Sequence, residues 1–141
     1  MRQLCIALAG LLMSFTGFGA AESWAASSVD PVTRVWVKDL QRVEEMIAAA
    51  IQTADAAEIK RQGLIASKLI GIADNSLKSL DMEQRLDCTN AATSLMVITD
   101  DLRQTPARAL VLVRRDAAEF ARTMPKCERA VELKGPRHIK P

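Results

Sequence analysis

Residues able to cap a helix recur along this chain at nearly even intervals. Asp30 precedes Pro31, Asp55 stands three residues before Glu58, Asp81 opens Asp81-Met82-Glu83-Gln84, and Thr105 precedes Pro106. A side-chain oxygen at such a position accepts N–H groups that a first helical turn leaves unpaired. Proline suits the first helical position, where its missing N–H costs nothing. An acid or amide three residues beyond the cap completes a capping box. The caps lie about 25 residues apart, so at the α-helical rise each segment spans roughly 30–35 Å.

Apolar residues between the caps keep a helical rhythm. The first segment has Trp36, Leu40, Val43, Ile47, Ala50 and Ala54; the second has Ile59, Gly63, Ala66, Ile70, Ala73, Leu77 and Leu80. The third has Cys88, Ala91, Leu95, Ile98 and Leu102, and the fourth Leu110, Val113, Ala117, Phe120, Met124 and Cys127. Steps of three and four draw one stripe along a helix, and no window alternates with the period of a half-buried strand. The pattern predicts an all-α chain: an up-down four-helix bundle, or a pair of helical hairpins, with consecutive helices antiparallel. Pro125 is expected to end or kink the fourth helix, because its ring removes a hydrogen bond and crowds the preceding turn. A further turn or two is expected between Lys126 and Leu133, stopped by Gly135-Pro136.

The amino-terminal stretch is of another kind. Met1-Arg2-Gln3 leads into an apolar run from Leu4 to Phe18, followed by the small residues of Gly19-Ala20-Ala21 and Ser23-Trp24-Ala25. One early positive charge, an apolar run and a small-residue exit predict a cleavable signal peptide, cut after Ala21 or Ala25. The alternative, a retained anchor, needs about 20 apolar residues, and Ser14 and Thr16 dilute this run. The expected organisation is a signal peptide at 1–25, a helical bundle domain at 26–133 and a mobile basic tail at 134–141. The mature protein is then expected to be periplasmic or secreted, with no membrane span.

Export fixes the reading of the cysteines. Cys5 leaves with the signal, and Cys88 and Cys127 remain as an even pair, which in an oxidising compartment favours a disulfide. Folding the last two segments about residues 107–108 brings 88 level with 127, both on the apolar stripe. A bridge there closes about 40 residues and contributes on the order of 3–4 kcal/mol.

Catalytic patterns are scarce. The only histidine, His138, falls in the tail, so the serines at 67, 76, 79 and 94 have no histidine base beside them in the bundle. The adjacent acids Glu44-Glu45 and Asp100-Asp101 diverge by about 100° on a helix. They are expected on solvated faces beside Arg42 and Arg103. There is no haem-attachment motif and no spaced histidine pair. Met46, Met82, Met96 and Met124 are dispersed, which suits core filling better than copper(I) ligation. No catalytic residue, metal or cofactor is therefore expected.

The positive signal is an arginine stripe. Arg108, Arg115 and Arg122 are seven residues apart, hence on one helix face, and Arg129 continues the series. Guanidinium groups suit carboxylate or phosphate recognition; the plainer alternative is a solvated face paired with Asp116 and Glu119. A net charge of +2 and an aromatic content of 4% argue against nucleic acid. Leu110-Val111-Leu112-Val113 and the second stripe of Ile65, Leu69 and Ile72 exceed what one bundle face buries. They mark either enclosed helices or a patch for a partner, including a second copy in a homodimer. The sequence thus suggests an exported, non-catalytic binding module for an envelope protein or anionic polymer, with Arg108, Arg115 and Arg122 as the candidate site. The alternative is a small-molecule carrier or sensor with a pocket between helices.

Overall fold

The computed structural model describes residues 29–104 and 106–141, except for the side chains of 106–110. The expected signal peptide and the Thr105 cap lie outside the described residues. Four helices follow in order: α1 (Pro31–Gln52), α2 (Ala56–Ser76), α3 (Met82–Asp101) and α4 (Pro106–Ala130), with no strand among the described residues. They form a helical bundle.

The caps act as their chemistry dictates. Asp30 accepts from the N–H of Val32 at 2.8 Å, with Pro31 in the first turn. Asp55 accepts from the N–H of Glu58 at 2.9 Å. Asp81 and Gln84 form a full reciprocal capping box at 2.8 and 3.2 Å. Glu58 departs from the box expected at Asp55, because its carboxylate turns to Arg61 and Gln62 one turn further on.

Each helix buries most of the stripe that its spacing predicts, although Ala54 is exposed, Ile70, Leu102 and Val113 are half-buried, and the side chain of Leu110 lies outside the described residues. Trp36, Leu40, Val43 and Ile47 of α1 meet Ala66, Leu69 and Ala73 of α2, Ala91, Leu95 and Ile98 of α3, and Ala117, Phe120 and Met124 of α4 in one core. Consecutive helices pack as antiparallel neighbours. Thr33 near the start of α1 donates to the carbonyl of Ser76 at the end of α2, at 2.7 Å. Gly63 near the start of α2 faces Thr99 near the end of α3, so closely that an added Cβ would meet Oγ1 at 2.3 Å. Cys88 and Cys127 join α3 to the end of α4, with sulfurs 2.06 Å apart.

Near the end of the chain, Pro125 does not end α4, which runs on to Ala130. Proline in a helix interior costs about 3 kcal/mol or more. Beyond it, Cys127 and Val131 are fully buried, and each such side chain contributes about 1.5–3 kcal/mol. Packing therefore outweighs the lost hydrogen bond. The segment read as a mobile tail is also packed. Ile139 is only 6% exposed and belongs to the core cluster.

Helices α1 and α4 both end in a Schellman turn without glycine. After α1, the N–H of Asp55 bonds to the carbonyl of Ala50 at 2.9 Å and Ala54 takes φ 54°. After α4, the N–H of Leu133 bonds to the carbonyl of Glu128 at 2.9 Å and Glu132 takes φ 58°. Glycine is the usual occupant of this left-handed position, since a Cβ is disfavoured there.

Candidate functional site

The order of packing leaves one seam to be closed by something other than a helix. α1 packs on α2 and more lightly on α3, while α4 packs on α3. Between α1 and α4 runs the closing segment, residues 131–141. Arg137 extends its guanidinium into this seam and forks to two carboxylates. Nη1 donates to Glu44 Oε2 of α1 at 2.8 Å, and Nη2 donates to Glu128 Oε1 of α4. The backbone N–H groups of His138 and Ile139 donate to Glu44 Oε1 at 2.8 and 3.3 Å. Gln41 Nε2 donates to Glu128 Oε1 at 2.6 Å. The guanidinium also lies 5.9 Å from the ring centre of Phe120, within reach of a cation–π attraction.

This network corrects the expectation that Glu44 is solvated. Its side chain is 1% exposed, because position 44 lies four residues beyond Leu40 and three before Ile47, on the buried stripe. Burial pushes the Glu44 carboxyl above its ordinary value. The His138 N–H, the Arg137 charge and the Ile139 N–H pull the other way. A buried charge is tolerable only when paired and hydrogen-bonded, and the closing segment supplies both. Gly135 lies against the side-chain ends of this network. A Cβ there would stand 2.6 Å from Gln41 Nε2 and 3.0 Å from Glu128 Oε1.

Over this network lies a cleft of about 560 Å³ between α1 and the closing segment. Lys38 and Arg42, four residues apart on α1, form one wall with Glu45; Lys134, Pro136 and His138 form the other. Lys38, Arg42, Glu45, Lys134 and His138 are all exposed. Three fixed positive charges therefore face one negative charge. Glu44 and Glu128 lie beneath, bonded to Arg137, to Gln41 and to the N–H groups of His138 and Ile139. Such an arrangement offers charge and hydrogen-bond donors to an anion.

The arginine stripe is arranged differently. Arg115 is exposed and donates through Nε and Nη2 to Asp116 at 3.1 and 3.3 Å. Arg122 is exposed and forks onto Glu119 at 3.0 and 2.5 Å. Each acid raises its arginine's pKa. Arg129 is exposed beside a shallow groove that also holds Asp87 and Lys126. The side chain of Arg108 lies outside the described residues. Arg115 and Arg122 thus share a helix, and each is engaged by a neighbouring acid.

The second acidic pair also divides. Asp100 is exposed and meets Arg103 at 3.4 Å, as expected. Asp101 is buried, and its Oδ2 has no partner among the described residues. Burial, then a hydrogen bond and the negative charge of Asp116, push the Asp101 carboxyl above its ordinary value, opposed by Arg115. Among the described residues no group of three histidine, cysteine or acidic side chains is placed to hold a metal. No helix of the described residues is long and apolar enough to cross a membrane.

The chain matches none of the family models, curated proteins or solved structures with which it was compared. Its functional reading therefore starts from this geometry.

Proposed function

We propose that this protein is an exported, non-catalytic binding module whose ligand is an anionic envelope component or the acidic surface of an envelope protein. The supporting observation is the cleft between α1 and the closing segment, where Lys38, Arg42 and Lys134 face the lone carboxylate of Glu45. The cleft is preferred to the α4 stripe because acids on α4 already engage Arg115 and Arg122. Export rests on the signal-like residues 1–25, and up-down connectivity fits the antiparallel pairing of successive helices.

The carrier reading has less support. A drug-sized ligand needs a concave site of about 300–1,000 Å³. The groove between α2 and α3, lined by Leu64, Ser67 and Met96, measures about 240 Å³, and the one between α1 and α2, lined by Val43, Met46, Ile65 and Leu69, about 290 Å³. Calorimetric titration with inorganic polyphosphate separates the two candidate faces. The double reversal K38E/R42E is expected to abolish salt-sensitive binding, while R115E/R122E leaves it within about twofold. The opposite pattern places the site on the α4 stripe, and absence of polyphosphate binding by the wild-type chain removes the anion reading.

A further inference from the structure

The seam between α1 and α4 has the character of a receptor and its ligand rather than of two packed helices. What enters it is an extended run, Gly135 to Ile139. What receives it belongs to the helices: two carboxylates from Glu44 and Glu128, the ring of Phe120, and the apolar core that takes Ile139. The contacts belong to residues 135–139 and the groove. None of them depends on the covalent path from α4.

That path is under strain. The turn between α4 and the extended run carries Glu132 at φ 58°, where a side chain with a Cβ is disfavoured. Glu132 is exposed, and its carboxylate reaches Arg34 on the surface at 3.2 Å, with 68% of the side chain exposed. Such an ion pair holds the turn only weakly. A short strained hinge joining a well-recognised segment to its groove favours exchange between copies, because opening relieves the hinge while the groove contacts are remade.

We propose that residues 133–141 are exchangeable, so that the α1–α4 groove accepts this segment from a second copy of the chain and a reciprocal dimer results. A second copy is the occupant because it carries the whole matched set: arginine for the two carboxylates, backbone N–H groups for Glu44, and isoleucine two residues beyond the arginine for the core. Exchange has a functional consequence. In the dimer each basic cleft combines Lys38 and Arg42 of one copy with Lys134 and His138 of the other, so the cleft becomes an intersubunit site. The dimer itself requires no anion, and its test is independent of the binding reading above.

The test mixes two full-length variants. E44Q/E128Q keeps the segment but loses the receiving carboxylates, and R137S/I139S keeps the groove but loses the anchor. Light scattering on the mixture is expected to show a one-to-one heterodimer, with each variant monomeric alone. A mixture that stays monomeric while both variants keep their helical circular dichroism overturns the proposal, as do dimers formed by either variant alone. If either variant loses its helical signal, wild-type chain refolded at millimolar concentration decides. Dimer that rises with concentration and falls about fivefold in E132G, where glycine relieves the closed hinge, supports exchange. Monomer at every concentration overturns it.

Discussion

Two seams of this bundle are closed in opposite ways. Between α3 and α4 the helices lie against each other and are tied by Cys88 and Cys127, with Cα atoms 4.8 Å apart. Between α1 and α4 a single extended segment fills the space, held by a guanidinium, two carboxylates and one isoleucine. The first seam follows from apolar periodicity and a covalent bond. The second depends on charges that must find each other after the helices have docked. One seam should therefore survive the loss of any one contact, whereas the other hinges on Arg137.

The largest effect is expected at the covalent seam. The double substitution C88S/C127S removes a link spanning 39 residues, which by the chain-entropy argument lowers stability by about 4 kcal/mol. Urea denaturation should show this as a shifted midpoint with the native helix content kept. A loss far below that figure would mean that helix packing alone closes the seam.

At the other seam, R137A leaves Glu44 and Glu128 facing an apolar core without their shared partner. Breaking a buried pair costs about 3–5 kcal/mol. Arg137 keeps 21% side-chain exposure, so about 3 kcal/mol is expected. Hydrogen exchange should rise first in α1, which has no other tie to α4 of comparable strength. Uniform loss of protection through all four helices would contradict the contrast between the seams. I139A removes the apolar half of the same anchor and is expected to cost about 2 kcal/mol, measured by thermal denaturation. If I139A exceeds R137A, burial rather than charge closes the seam.

The smallest effect concerns the two buried acids. Glu44 is met by an arginine and two N–H groups, whereas Asp101 is met by another acid, Asp116. Both carboxyls are raised in the folded chain, so the folded state binds more protons than the unfolded state above the ordinary values of 4.5 and 3.8. Stability therefore falls as pH rises through this window. D101N removes the repulsion at Asp101 and should raise stability at neutral pH by about 1 kcal/mol, while flattening the slope. E44Q should flatten the slope too, yet lower stability at neutral pH, because Arg137 loses a charged acceptor. Denaturation midpoints across pH 4–8 distinguish these signs. A gain for both variants would show that Glu44 is no better compensated than Asp101.

Most of the fold was legible because its signals are local. Asp30, Asp55 and Asp81 announce helix starts within three residues, and steps of three and four announce the buried faces. The Cys88–Cys127 pairing followed from the hairpin register those signals imply. The closing segment was not legible in the same way. Arg137 and Glu44 are 93 positions apart, and nothing near Gly135-Pro136 says that this stretch turns back onto the bundle. One signal was present. Glu44 falls on the buried stripe of its own helix, where a charge requires a partner, and Arg137 lies two residues before the only aliphatic side chain beyond Leu133. Arg108, Arg115 and Arg122 all fall within α4, and the acids one and three residues from Arg115 and Arg122, which engage them, were equally visible in the sequence.

Trp36 has an optical consequence. Its ring is 2% exposed and its Nε1–H donates to the carbonyl of Leu69 at 2.9 Å, on the seam between α1 and α2. In a chain lacking residues 1–25 it is the only tryptophan, and the sequence has no tyrosine. Ultraviolet emission then comes from a single indole that reports α1 docking on α2. Departure of α1 from α2 would shift that emission to the red.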